Sequence, residues 1–394
     1  GILGSFKRLI DNFMRKISLA VLFLIFGNYC FSQTLVKGLY VDKFNLILGN
    51  IQKEDSLLNY AVNKGFNYLA LYDLWTVHTT SSLTNTTTAL ALANFLNKAK
   101  TTYSISAIGA TGENYWFFSN VIHVYNQQHS NPNHKFDVYN LEFEFWITSS
   151  VNTGGIYCTT YLQPGGYTCD TSGAFKFYTR ELRRIDSLGN TVGVTSETYI
   201  GWPNSGQAKA IVKNCDRILL HAYVNNESTT YAYTKNRLID LSGAATLAKV
   251  IPIFSAEPSF MGPWVQLNTP LQAYTNYNAN FTSETGSWKS NVSVLGYQWF
   301  AYSFMPKALT AGIPLVKNTN EFYVMPNPSE NGIVNIKTNF SGEIKLCDQF
   351  GREISNFNVE ENKPSQINCS DLPNGVYYLF CKDNGFVRKI VVMN

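Results

Sequence analysis

Charge is scarce in this 394-residue chain, where Asp, Glu, Lys and Arg make up only 15% of residues against 45% hydrophobic. So much apolar material with so little charge excludes a disordered or fibrous chain. A basic surplus is also missing. The net charge is +4, and residues 1–32 hold four basic residues and one acidic residue, which leaves about +1 for the remainder. Without a basic footprint, nucleic acid is not an expected partner. The five histidines, His78, His123, His129, His134 and His221, show no HExxH or paired spacing, so no catalytic metal and no other cofactor is expected. There is no CxxC pair, no GxSxG nucleophile elbow and no Cys/His pairing.

What is present begins with Met14-Arg15-Lys16 and the apolar run Ile17 to Phe26, then Ser32 before Gln33. A basic start, a short apolar core and a small residue at the cut describe a secretory signal peptide, with residues 1–13 lying upstream of the start at Met14. Ten apolar residues are too few for a retained span, which needs about 20. In an exported chain, Cys158 and Cys169 bracket the loop TTYLQPGGYT and predict a local disulfide, while the pairing of Cys215, Cys347, Cys369 and Cys381 stays open.

Between residues 34 and 316, short apolar runs alternate with helical stretches. Strands are expected near 36–41, 67–71, 103–109, 138–145, 191–196, 217–223, 250–254 and 294–300. Helices are expected at 55–63, 89–100, 117–128, 175–188 and 235–248, with a weaker one between Pro270 and Glu284. Eight such units over about 280 residues predict an α/β fold, a (β/α)8 TIM barrel. Runs such as NYLAL and VIPIF lack strict alternation, as buried parallel strands do. The competing doubly wound sheet wants a phosphate-cradling glycine loop after the first strand, and Asp42-Lys43-Phe44-Asn45 is not one.

Past Val316 the helical pattern stops. Short strands separated by Asn-Gly and related turn signals predict a small antiparallel β-sandwich over 320–394. Val324-Met325-Pro326-Asn327-Pro328-Ser329, then Asp348-Gln349-Phe350-Gly351-Arg352, Leu372-Pro373-Asn374-Gly375-Val376-Tyr377-Tyr378 and the closing strand Val387 to Val392 occur in order. This tail resembles the C-terminal sorting domain of type IX secretion (Por) substrates in Bacteroidetes. The resemblance implies passage across the outer membrane through the type IX machinery, followed by release or cell-surface attachment. A carbohydrate-binding or Ig-like sandwich is the other reading of the tail.

The fourth expected strand carries the chemistry. In Asp137-Val138-Tyr139-Asn140-Leu141-Glu142-Phe143-Glu144-Phe145-Trp146, a period of two sends Asn140, Glu142, Glu144 and Trp146 into the barrel mouth and the aromatic residues outward. Two carboxylates on one interior face repel, which raises the pKa of at least one toward that of a general acid. A half-exposed antiparallel strand would show the same alternation.

Here the barrel resembles glycoside hydrolase family 18, whose fourth-strand motif DxxDxDxE is met as Asp137-x-x-Asn140-x-Glu142-x-Glu144. The resemblance implies that Glu144 protonates the glycosidic oxygen. Glu142 and Tyr223 would position a substrate acetamido group, and Trp299 would floor the subsite. From the residues alone, His221 at the end of the sixth strand is either a satisfied inward barrel residue or a substrate contact. The two middle positions depart from the motif, and Val224 follows Tyr223 where an acid or amide is usual. A second enzyme reading pairs Glu144 with Glu257 as a retaining acid/nucleophile couple, about 5–5.5 Å apart. Glu197, read at the end of the fifth strand, is a further substrate-binding candidate. Aromatic residues after the strand ends, among them Tyr72, Trp75, Trp116, Trp146, Tyr199, Trp202 and Trp299, suit stacking on sugar rings. The expected function is a secreted glycosidase-like protein acting on N-acetylhexosamine-containing glycan. The alternative is a non-catalytic glycan-binding or adhesin-like protein on a degenerate barrel.

Overall fold

The computed structural model describes residues 34–307, 322–329, 332–338, 340–349, 351–381 and 386–393, so the expected signal peptide lies outside the described residues. The apolar runs of the first part become β1 (Val36–Val41), β2 (Tyr68–Leu71), β3 (Ala107–Gly112), β4 (Val138–Glu142), β5 (Thr195–Ile200), β6 (Arg217–His221), β7 (Ala248–Ser255), β8 (Val292–Val294) and β9 (Gly296–Phe300). Neighbours pair in parallel around a ring, and β9 closes it by pairing with both β7 and β1. The eighth stave is split: β8 pairs with β7 alone, and β9 then continues between β7 and β1. Gly296 makes that step possible. Its φ is +153°, and a Cβ there would sit 1.9 Å from the Val36 carbonyl oxygen.

Helices cover the ring because their apolar faces have nowhere else to go. Helix 51–63, capped by the Asn50 side chain on Lys53 N–H, buries Leu57, Leu58 and Ala61. Helix 90–101 buries Leu92, Phe95, Leu96 and Ala99, and helix 171–190, capped by Asp170, buries Ala174, Phe177, Tyr178, Leu182 and Ile185. These meet outward strand residues such as Leu39, Leu69, Ile108, Tyr139 and Leu141. A separate inner cluster, with Tyr40, Tyr68, Ala70, Val138, Leu219 and Ile251, fills the lumen, so the barrel is packed and not a pore.

Two strands lie further along the chain than the sequence suggests. Tyr103–Ser106 precede β3, and Ser104 has φ +54°; Gly193, at φ +69°, ends the turn before β5. Neither break is visible in apolar content. The displacement decides which carboxylates reach the mouth.

The tail forms two antiparallel sheets. One is ordered β10 (Phe322–Met325), β11 (Ile333–Thr338), β14 (Ser365–Asn368), and the other β13 (Glu353–Val359), β12 (Gly342–Cys347), β15 (Gly375–Cys381), β16 (Phe386–Val392). Val334, Ile336, Ile344, Leu346, Leu379, Ile390 and Val392 are buried and alternate with exposed or half-buried neighbours, the alternation of a sandwich. Strand β13 is almost wholly exposed, which is why apolar patterning does not reveal it.

Candidate active site

Period-two alternation carries one set of side chains into the lumen. At its base, Glu197 on β5 is fully buried, accepting from Tyr68 Oη at 2.7 Å and pairing with Arg217 Nε at 2.6 Å. This corrects the expected substrate contact. Because β5 runs 195–200, Glu197 is its third residue and lies deep in the ring, not at the rim. Asn140 is likewise fully buried, donating to Thr111 Oγ1 at 3.2 Å, so it belongs to the packed lumen and not to a substrate surface.

Above it sits Glu142, the last residue of β4, accepting a hydrogen bond from Tyr40 Oη. Burial, reinforced by the charge of Glu144, pushes its pKa up to about 8 from the usual 4.5. Glu144 follows on the same face. Its pKa is raised by burial and then by the charge of Glu113. Glu113, immediately past β3, accepts from Tyr161 Oη at 2.5 Å. Three glutamates from two adjacent strands thus meet at the mouth, and tyrosines ring them. Tyr72 is pushed up to about 12 by burial and then by Glu113. Tyr157, stacked on Phe143 at 4.3 Å between centroids, is also raised, by burial and the same three carboxylates. The Tyr199 and Tyr223 rings lie 6.4 Å apart between centroids; burial raises both, followed by the charges of Glu144 and Glu142 at Tyr199 and by Tyr199 and Glu142 at Tyr223.

Chemically, a carboxyl that keeps its proton near neutral pH beside a second raised carboxyl is a proton donor with a neighbour able to take the proton back. Glu257, two residues past β7, accepts from Ser255 Oγ at 2.8 Å, and its charge adds to those that raise Tyr223. The carboxylate whose charge raises Glu144 is Glu113. Among the described residues, no three His, Cys, Asp or Glu side chains form a metal-binding group.

On the β4–β6 side, Trp146 packs edge-on to Tyr199, and its indole N–H has no partner among the described residues. Gly201 admits it, since a Cβ there would lie 2.4 Å from Trp146 Cε2. His221 stacks on Tyr223 at 4.2 Å and packs against Trp202; burial, aided by Arg237, pushes its pKa down to about 4, so the ring is neutral. Its Nδ1 is also unpartnered. On the β2–β3 side, a cavity of about 390 Å³ is lined by Tyr72, Asp73, Trp75, Glu113, Trp116 and Tyr161, among others. Trp75 and Trp116 meet edge to face at 5.9 Å and are half exposed.

Trp299 requires correction. It is fully buried outside the ring, against Phe254 and Trp264, with Nε1 donating to Pro270 O at 3.2 Å. Its neighbours Gln298 and Phe300 take the lumen, so Trp299 cannot floor a sugar subsite. Glu113, Tyr40 and Tyr161 were not legible as site residues. Ending β3 at Gly112 would have shown Glu113 sharing the inward parity of Thr111. The expected Cys158–Cys169 disulfide is formed, closing the loop that carries Tyr161.

Residues 323–393 match the family described as secretion system C-terminal sorting domain, so the chain carries a secretion sorting tail. No curated protein matched the chain. Solved structures similar in fold include a Bacteroides uniformis β-glucuronidase 2 (10% identity, TM-score 0.41, 92% of this chain and 46% of that one). Others are a putative β-galactosidase from Bacteroides fragilis (10%, 0.38, 91% and 55%) and a Cellulomonas fimi endo-β-1,4-mannanase (8%, 0.39, 91% and 94%). The chain spans about half the length of the first two. At such identities the likeness concerns the barrel fold alone.

Proposed function

We propose that this protein is an exported glycosidase-like protein whose barrel mouth receives a glycan and whose Glu144 protonates the glycosidic oxygen. The observation that carries the reading is the Glu142–Glu144 pair, in which Glu142 holds a proton to about pH 8. Such a couple supplies general acid catalysis and lets the proton pass between its members. Glu142 and Tyr223, within each other's electrostatic reach, would orient an acetamido group of an N-acetylhexosamine substrate. The half-exposed indoles of Trp75, Trp116 and Trp202 would stack on sugar faces. The proposed division is a barrel within 34–316 and a type IX sorting domain at 320–394, delivering the barrel to the cell surface or beyond it.

A second reading is favoured by the charge of Glu113 on Glu144. These two carboxylates, in place of Glu144 and Glu257, would serve as nucleophile and acid/base of a retaining mechanism. Both readings require Glu144. Glu144→Gln should abolish hydrolysis across chitin-oligosaccharide, N-glycan and acetamido-free β-glycan substrates while leaving the circular dichroism spectrum unchanged. Cleavage only of acetamido sugars supports the first reading, and loss of activity in Glu113→Gln but not Glu142→Gln supports the second. Full activity of Glu144→Gln refutes both. Oligosaccharide binding without turnover in the unmodified protein would establish the non-catalytic alternative.

A further inference from the structure

Beside the cavity that holds Glu113 lies another of about 600 Å³, and the two share Asn114, Trp116, Thr160 and Tyr161. They form one groove leading away from the barrel mouth. Its two ends differ in charge. The inner part is acidic, with Asp73 and Glu113, while the outer wall is helix 171–190, which contributes Arg180 and Arg184 one turn apart.

Like charges at that spacing weaken a helix unless something answers them. A single buried carboxylate, Glu181, does so in part. Its Oε1 lies 2.9 Å from Arg180 Nε and Nη2 and 4.0 Å from Arg184 Nη1, while its Oε2 accepts from Tyr115 N–H at 2.7 Å. Two guanidiniums against one carboxylate leave a surplus positive charge at the outer end of the groove. Both cations lie over aromatic rings, Arg184 Cζ at 3.8 Å from the Tyr115 centroid and Arg180 Cζ at 5.2 Å from that of Tyr167. Their side chains remain 47% and 39% exposed, and Arg184 makes no hydrogen bond among the described residues. These ring contacts restrain each guanidinium before a ligand arrives, so less side-chain freedom is lost on binding.

We propose that the Arg180–Arg184 end of the groove is a subsite for an oxyanion on a sugar, a carboxylate or a sulfate, borne by a residue distant from the cleaved bond. The inference rests on the glycan reading of the barrel. It adds that the preferred polymer is acidic, and that it lies with its anionic group at the arginines and a neutral ring over Glu113, where a second negative charge would be repelled. Planar guanidinium forks match carboxylate and sulfate oxygens in pairs, which a neutral hydroxyl cannot reproduce.

The test is calorimetric titration of the full chain with two matched pairs of probes. One pair is an oligogalacturonate and its carboxyl-reduced counterpart; the other is a sulfated galactan oligosaccharide and its desulfated form. At low salt, the charged member of at least one pair should bind about tenfold more tightly than its neutral partner, as expected of one charge-assisted hydrogen-bonded contact. The pair that responds identifies the anion. Arg184→Gln should remove most of that preference without changing affinity for the neutral probe, and Arg184→Lys should restore only part of it. Arg184 is half exposed and its ion pair is long, so this variant should fold, with circular dichroism as the check. Equal affinity within both pairs, or a preference that survives in the Arg180→Gln/Arg184→Gln double variant, overturns the proposal. The preference should persist in Glu144→Gln, so failure of the proposed hydrolysis would not affect it, and its own failure would leave Glu144 untouched.

Discussion

Replacing Glu142 by glutamine should make the barrel more stable, increasingly so as pH rises. In the folded protein Glu142 keeps its proton to about pH 8, whereas an exposed glutamate releases it near 4.5. Below pH 4.5 both states are protonated and folding gains nothing from the difference between residues. Between 4.5 and 8 the unfolded chain ionises and the folded chain does not, so wild-type stability falls with each pH unit. Above 8 the loss is complete. At ~1.4 kcal/mol per unit this gap corresponds to about 5 kcal/mol. The amide keeps an oxygen for the Tyr40 hydroxyl but adds an N–H that must find an acceptor beside Glu144, at a cost of about 1 kcal/mol where the fit is imperfect. A net gain of several kcal/mol is therefore expected at pH 8–9, and almost none at pH 4.5. Guanidinium unfolding followed by tryptophan fluorescence reads the barrel alone, since all seven tryptophans lie between Trp75 and Trp299. A constant offset between the two proteins at pH 4.5, 6.5 and 8.5, or a wild type that gains on the variant with rising pH, would refute the burial and charge coupling assigned to this residue.

Glu113→Gln removes a charge that raises the pKa of Glu144, so the alkaline limb of the pH–activity profile should move to lower pH; an unmoved limb would separate Glu113 from the proton donor. Glu197→Ala strands Arg217 and the Tyr68 hydroxyl in the base of the ring and should cost about 3–5 kcal/mol in thermal or chemical unfolding. A loss below ~1 kcal/mol would contradict its structural role. The 11-residue separation of Cys158 and Cys169 predicts about 3 kcal/mol from loop closure, read as a lower melting temperature in the Cys158→Ser/Cys169→Ser protein. Because that loop also carries Tyr161, KM for glycan should rise as well, and a variant with unchanged melting and KM would deny the loop any part in shaping the mouth.

Local pattern was sufficient for the eight staves, for the inward parity of Glu142 and Glu144, for the disulfide and for the sorting tail. Each depends on residues close together in the chain: alternation along one strand, two cysteines flanking one loop, motif blocks in order. The rest depended on where strands begin and what faces them across the ring. A strand start can shift by several residues when a positive-φ residue such as Ser104 or Gly193 interrupts an apolar stretch, and pattern does not register it. That shift sent Glu197 to the buried base and brought Glu113 to the rim. The outward turn of Trp299 and the closure of Tyr40 onto Glu142, 102 residues apart, were likewise decided only when the barrel closed. A residue's environment in a closed ring is set by its layer and by its neighbours from other strands, and neither is written beside it in the chain.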